Sequence, residues 1–403
     1  MTILGWVLVG AAPVLLAVAA ELLARWWVRH RSRYYVIPPG LRVRLSPHPD
    51  VSPQLETCIR FDANSEGERG PALPKSAKAL CRLLVAGGSQ PEGYLLDQDT
   101  HWPGALQRLL ERPEHLQRLR ASHVHVGNIS RSGVGSEALD LILERVLPRY
   151  PKLSTIIVLV GASDVLRWLE YGAPPSPPPP VRASEVFRCH PELTFGCRPR
   201  RLALVELALR LRHRWIRPLQ VHERACSWII RARGMRARAT SMRTVTPDPA
   251  PMLAHFEHHF RRALERARIH ADRVIVVRQP WFNRPCSAQE LSLMWHGGVG
   301  QAWQEEVTTF YGNEVLSSLM ASLDARADRV ARELDVEQVD LMPVLEPSVE
   351  TYYDFFHATP AGARVIAAAV AAVILRTPLA SVAPPEVTAM LSAAGGALIR
   401  KVS

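Results

Sequence analysis

Short apolar, β-branched runs alternate with longer amphipathic stretches through most of this chain, and that alternation leaves few folds open. Strand-length runs are read at Arg82–Ala86, His123–Val126, Thr155–Val160, Arg273–Val277 and Gln338–Leu341. Helical periodicities are read at Trp102–Glu111, Ser136–Arg149, Pro251–His270, Glu314–Leu334 and Pro360–Leu375. Parallel strands need a long crossover, usually a helix, and their residues are apolar toward both faces, as in Ile156-Ile157-Val158-Leu159-Val160. The expectation is an α/β chain, a three-layer α/β/α sandwich around a central parallel sheet. Apolar residues make up 47% of the 403, enough for a sizeable core.

Two stretches break the alternation. At the N-terminus, Ile3 to Ala20 is apolar without a charge, and the pattern runs on to Trp26, Trp27 and Val28. That is the lower limit for a bilayer-spanning helix, at about 18 residues. The two tryptophans and Arg25, Arg29, Arg31 and Arg33 mark an interface. With no convincing small-residue cleavage site, residues 3–28 are expected to stay as a single-pass anchor. The arginine flank, read by the positive-inside rule, puts the rest of the chain in the cytoplasm.

The second break spans 171–250. It opens on a proline run, Pro174 to Pro180 with Ser176 inside it, which reads as a polyproline II spacer. An amphipathic segment follows at Leu202–Ile216, with Arg210, Arg212, Arg214 and then Arg217, and Arg224–Arg243 is again arginine-rich. A net charge of +11 favours acidic contacts, so the 198–243 segment is expected either to meet anionic lipid or an acidic polymer or to be a solvated face. Zinc-finger spacing and RNA-recognition motifs are absent, which argues against nucleic acid. The expected organisation is an anchor with basic flank at 1–33, a linker and edge strand at 34–80, the main domain at 81–378 with its insertion, and a tail at 379–403. Six cysteines show no CxxC spacing, and Cys189 and Cys197 could close a small loop or remain free thiols.

The chemistry-bearing residues fall at strand ends. Leu83-Leu84-Val85-Ala86-Gly87-Gly88-Ser89 is an apolar run that turns on two glycines into a serine. The second strand ends toward Ser130-Arg131-Ser132-Gly133-Val134-Gly135, and the third toward Gly161-Ala162-Ser163-Asp164. Open parallel sheets bind ligands at this carboxyl edge. About 270 residues beyond Ser89, Asp354 and His357 stand three apart. A serine hydroxyl needs a base, and the base needs a carboxylate to hold its tautomer, so Ser89, His357 and Asp354 form a candidate triad. The plain alternative makes Thr359 a helix N-cap before Pro360, with His357 merely beside it. Neither GxxxxGK[ST] nor GxGxxG is present, which argues against a phosphate cradle.

These blocks resemble the SGNH (GDSL-like) hydrolase superfamily over about 82–172 and 273–376. The family's Gly-Asp-Ser is here Gly87-Gly88-Ser89, with Asp99, Trp102, Pro103 and Leu106 following as in its continuation. Gly133 matches the second block's oxyanion glycine, and Asp354-x-x-His357 is intact. The third block, usually Gly-x-Asn-Asp, reads Gly161-Ala162-Ser163-Asp164, so Ser163 replaces an asparagine donor by a shorter hydroxyl. The resemblance implies a flavodoxin-like fold and an esterase or acylhydrolase. Its oxyanion hole would be Ser89, Gly133 and Ser163, and it would need no cofactor or metal. It also implies an ester substrate such as an O-acylated envelope or exported glycan, and a domain outside the cytoplasm, against the charge rule. The alternative is an acyl-transferring or non-catalytic accessory protein that binds a glycan or a membrane acyltransferase.

Other residues invite less. Trp281 follows the fourth strand and either lines the pocket mouth or, the plainer reading, is a core aromatic, and His296 with Gly297, Gly298 and Gly300 reads as a mobile loop or lid. His255, His258 and His259 share one helix at spacings that can bind metal, but no further ligand is evident and a polar face is the plainer reading.

Overall fold

The computed structural model describes residues 3–31, 33–74, 79–176, 178–188, 202–215, 218–221 and 226–393. The strands are β1 (Arg42–Leu45), β2 (Ile59–Asp62), β3 (Leu80–Gly87), β4 (His123–Asn128) and β5 (Leu153–Leu159), then β6 (Leu219–Val221), β7 (Ser241–Arg243), β8 (Ala271–Val277), β9 (Thr309–Tyr311) and β10 (Glu337–Val339). The principal helices are α1 (Ile3–Arg31), α2 (Ser89–Glu92), α3 (Trp102–Leu110), α4 (Ser136–Val146) and α5 (Ala162–Glu170), then α6 (Ala203–Trp215), α7 (Ser227–Ala237), α8 (Ala250–His270), α9 (Asn313–Glu333) and α10 (Pro360–Leu375).

The central sheet has five strands in the order β10-β8-β5-β3-β4, all parallel. Numbered by their own succession this is 2-1-3-4-5, the flavodoxin-like doubly wound order, with its switch point beside the first strand. The α/β/α sandwich expected from the alternation is therefore the observed architecture. Helices α3 and α10 pack together as one layer, while α4, α8 and α9 form the other. Leu83–Ala86 and Ile156–Leu159 are wholly buried, which is why these strands read as continuous apolar runs. Helix α10 begins where the sequence placed it, because Thr359 accepts from the Gly362 N–H at 3.2 Å and Pro360 sits in its first turn.

The stretch read as linker and edge strand packs differently. Strand β2 pairs antiparallel with β1, and β6 from the insertion adds parallel to β1, making a separate three-stranded sheet. Val43, Leu45, Ile59 and Phe61 point into the main core from it. The extended stretch at Cys58–Phe61 is visible in the sequence and becomes β2, whereas β1, with two inward residues in four, is too short an alternation to stand out among prolines.

Helix α1 is long and apolar enough to cross a membrane; its Ala11–Val28 window has a mean hydropathy of 1.5. Helix α6 lies against its C-terminal half: Ala24, Val28 and Ala203 are buried together. Glu21 accepts from the Ala203 and Leu204 N–H groups at 2.8 and 3.1 Å, satisfying donors that a helix start leaves open. Cys189 and Cys197 lie outside the described residues, and Cys58, Cys81, Cys226 and Cys286 are free thiols.

Candidate active site

Strand β3 delivers Ser89 to the carboxyl edge of the sheet. Gly87 is required there, since a Cβ at its position would stand 1.9 Å from the Leu159 carbonyl oxygen. The Gly88 N–H donates to that same oxygen at 3.1 Å, and Arg131 N–H donates to Gly87 O at 3.0 Å. The ends of β3, β4 and β5 are thus stitched into one rim.

The Asp354–His357 loop returns to this rim. Ser89 Oγ lies 2.7 Å from His357 Nε2, across 268 residues of chain. His357 Nδ1 is 2.9 and 2.8 Å from the two Asp354 carboxylate oxygens. An ionised carboxylate can only accept, so Nδ1 carries the proton and Nε2 is left to accept from the serine hydroxyl. Asp354 is 1% exposed. Burial opposes its ionisation, but the facing His357 and the Phe356 and His357 N–H groups, at 2.9 Å each, hold its carboxyl well below the usual range. The indole of Trp295 donates to the other oxygen at 2.9 Å.

The three residues chosen from the sequence as a triad thus come together in space. Gly133 has φ +79°, a left-handed conformation natural to glycine, and open space where a Cβ would be. Ser163 is half-buried, with its Oγ 3.7 Å from where a Cβ on Gly88 would lie. It therefore faces the backbone that carries Ser89. Asp164 takes a different part: its carboxylate accepts from the Ser136 N–H at 2.9 Å and from the Ser136 hydroxyl, capping α4.

Several supporting residues had no visible sequence signal. Glu92, one turn after Ser89, is buried and accepts from both the backbone N–H and the hydroxyl of Ser132, fixing the loop that carries Gly133. Burial pushes its carboxyl up, against those two donors. Arg69 is fully buried and donates to the Gly93 carbonyl at 2.8 Å and the Glu92 carbonyl at 2.6 Å, clamping the turn after α2. Asn128 donates to the Pro91 carbonyl at 2.6 Å.

The arginine-rich segment after 224 departs most from expectation. Arg233 and Arg236, on α7, are 9% and 8% exposed rather than solvated. Arg233 donates to the carbonyls of Leu293, Asp50 and Tyr353 at 3.0, 2.9 and 3.0 Å. Arg236 donates to those of His296 and Tyr311 at 2.7 and 2.9 Å. Both guanidiniums satisfy backbone carbonyls: those of Leu293, Tyr353 and His296 lie in loops, that of Asp50 in a short helical turn and that of Tyr311 at the end of β9. One of those loops carries Asp354 and another Trp295.

His296, read as part of a mobile loop or lid, is packed into the fold. It is 3% exposed, its ring lies 3.7 Å from that of Trp295, and Gly297 O accepts from Tyr311 N–H at 2.7 Å. Burial pulls its imidazole down to about 3, so it stays neutral. Trp281 is buried, as a core aromatic should be.

Neither a family model nor a curated protein matches the chain. Among solved structures, it is similar to a member of the lipolytic protein G-D-S-L family from Veillonella parvula, at 10% identity and TM-score 0.39, over 73% of this chain and 97% of that one. It is similar to Axe2, an acetylxylan esterase from Geobacillus stearothermophilus, at 13% and 0.39, over 75% and 96%. The α/β hydrolase LAE5 from the Lake Arreo metagenome matches at 14% and 0.38, over 74% and 95%. Likenesses of this degree are too distant to carry an activity, which has to be read from the chain's own strand order and rim geometry.

Proposed function

We propose that the protein is a membrane-anchored serine esterase of the SGNH type. The observation that supports it most is the continuous hydrogen-bonded path from Ser89 Oγ through His357 to Asp354, with links of 2.7 and 2.8 Å. In this reading His357 Nε2 takes the Ser89 proton as the oxygen attacks the acyl carbon of an ester. The imidazolium is stabilised by Asp354 and returns the proton to the leaving alcohol. The acyl-serine is then released by water that His357 activates in the same way. Backbone N–H groups of Ser89 and Gly133 and the Ser163 hydroxyl are the proposed oxyanion donors. No partner for either N–H occurs among the described residues. A rotatable hydroxyl in place of an amide weakens the third donor, and losing a donor outright costs about 2.7–4 kcal/mol of barrier.

Helix α1 is the proposed anchor, with α6 resting beside it at the membrane surface. The outward Leu204, Val205 and Leu211 of α6 continue the exposed apolar surface of Trp26 and Trp27. O-acyl groups of a polysaccharide are the proposed substrate class. The test is hydrolysis of short p-nitrophenyl esters and of acetylated oligosaccharides by the full chain in detergent. Ser89→Ala should lower the rate at least ~1,000-fold; equal rates in both proteins reject an esterase at this site.

A further inference from the structure

We propose a divalent transition-metal site, of the kind zinc occupies, formed by Glu137, His255 and His259 between α4 and α8. One ligand atom from each residue lies within 4.8 Å of the other two. His255 and His259 stand one turn apart on α8 and so share a face. The further ligand absent from the local sequence comes from α4, more than 100 residues upstream. Zinc bound tetrahedrally at about 2.0–2.1 Å to nitrogen and oxygen sets ligand atoms roughly 3.3–3.4 Å apart. Glu137 Oε2 and His255 Nε2 are 3.4 Å apart. That spacing is long for a hydrogen bond and right for two ligands of one ion.

The surroundings are those of a ligating set. Asp140, one turn after Glu137, holds His259 Nδ1 at 3.2 Å, which leaves Nε2 with its lone pair free. A carboxylate on the far nitrogen is the usual device for aiming a metal-bound histidine. The Asp140 carboxylate is itself fixed by Arg266 at 2.7 Å and Arg262 at 3.1 Å. Those arginines face Asp140, and none pairs with Glu137, His255 or His259 among the described residues. The other Glu137 oxygen accepts from the Val181 N–H at 2.9 Å, which orients the carboxylate and ties in the proline-rich segment. A small cleft lined by Glu137, His255, Ser163, Asp164 and Arg167 opens beside two of the three ligands and gives room for water as a fourth, with Arg167 donating to the Pro179 carbonyl at 2.8 Å. The ion would bind two helices of one layer together, next to the loop that carries Gly133.

The test uses untagged full-length protein in detergent, stripped with chelator and titrated with Zn2+ by calorimetry. Co2+ is the optical probe, read by the visible bands of a tetrahedral ion. The wild type should take up one Zn2+ per chain, with a rise in melting temperature. His255→Ala and His259→Gln should weaken binding on the order of 100-fold or more, and Asp140→Asn roughly 10- to 100-fold. His258→Ala, on the same helix but outside the set, should bind as the wild type does. No uptake by the wild type, or equal uptake by the His255 and His259 variants, overturns the site.

Discussion

Helices α6 and α7 are written in the same alphabet, arginine interleaved with apolar residues, yet they meet opposite environments. On α6, Arg212 is exposed and the helix rests on the apolar helix α1. On α7, Arg233 and Arg236 run inward and end on five carbonyl oxygens. What separates them is not composition but what lies opposite. Facing α7 are backbone carbonyls, three in loops, one in a short helical turn and one at the end of β9, and a guanidinium with five donors suits them. Basic charge in this chain thus has two uses, one toward the surface and one as internal mortar for the candidate active site.

Arg233→Ala should undo that contrast most severely. It strands the carbonyls of Leu293, Asp50 and Tyr353, at about 1–3 kcal/mol for each one left unpaired. Because Tyr353 precedes Asp354, esterase kcat should also fall, by roughly 10- to 100-fold through misplacement of the base. Arg233→Lys should restore part of both, and denaturant midpoints with steady-state kinetics would show it. Unchanged midpoints would mean that α7 is as superficial as α6.

Trp295→Phe is a narrower test of what α7 supports. It keeps an aromatic ring and removes the donor to Asp354 at 2.9 Å. A hydrogen bond to a charged group contributes about 1.5–3 kcal/mol, so kcat should drop ~10-fold with KM little changed.

A third test uses acid. Buried His296, whose carbonyl Arg236 holds, has its imidazole pulled from 6.5 to about 3 by burial. Between those values the unfolded chain binds a proton the folded chain does not, so stability is full above pH 6.5 and is lost as pH falls through 3. Glu68 adds a second arm. Burial pushes its carboxyl up, but His125 and Asn64 hold it at about 2 against an ordinary 4.5, so its contribution is lost as pH falls from 4.5 through 2. Melting curves across this range should show both arms, and His296→Phe should remove the upper one.

The smallest effect is expected on α6. Arg212→Glu should change stability by no more than ~0.5 kcal/mol and leave ester hydrolysis unchanged, as melting curves and steady-state kinetics would show.

The sequence disclosed the parts of this molecule whose partners are near or whose pattern is periodic. The buried strands showed as apolar runs, α10 as a capped helix, and the candidate triad as residues at strand ends plus a tight Asp-x-x-His. What stayed hidden depends on long-range company. Arg69 and Arg233 are indistinguishable from surface arginines until the carbonyls they serve are known. Glu92 has no mark apart from lying three residues after Ser89. Trp295 sits in a glycine-bordered stretch that reads as mobile, and its half-buried place shows only once its indole bond to Asp354 and its ring contacts to Trp228 and His296 are known. Glu137 becomes a partner for two histidines only when α4 packs on α8.

Serine catalysis at this rim stands or falls on a fluorophosphonate probe applied to the full-length protein, with the labelled peptide identified by mass spectrometry. A single adduct on Ser89 is expected, lost in Ser89→Ala and strongly slowed in His357→Ala. An adduct elsewhere, or labelling that survives the Ser89 substitution, would contradict it.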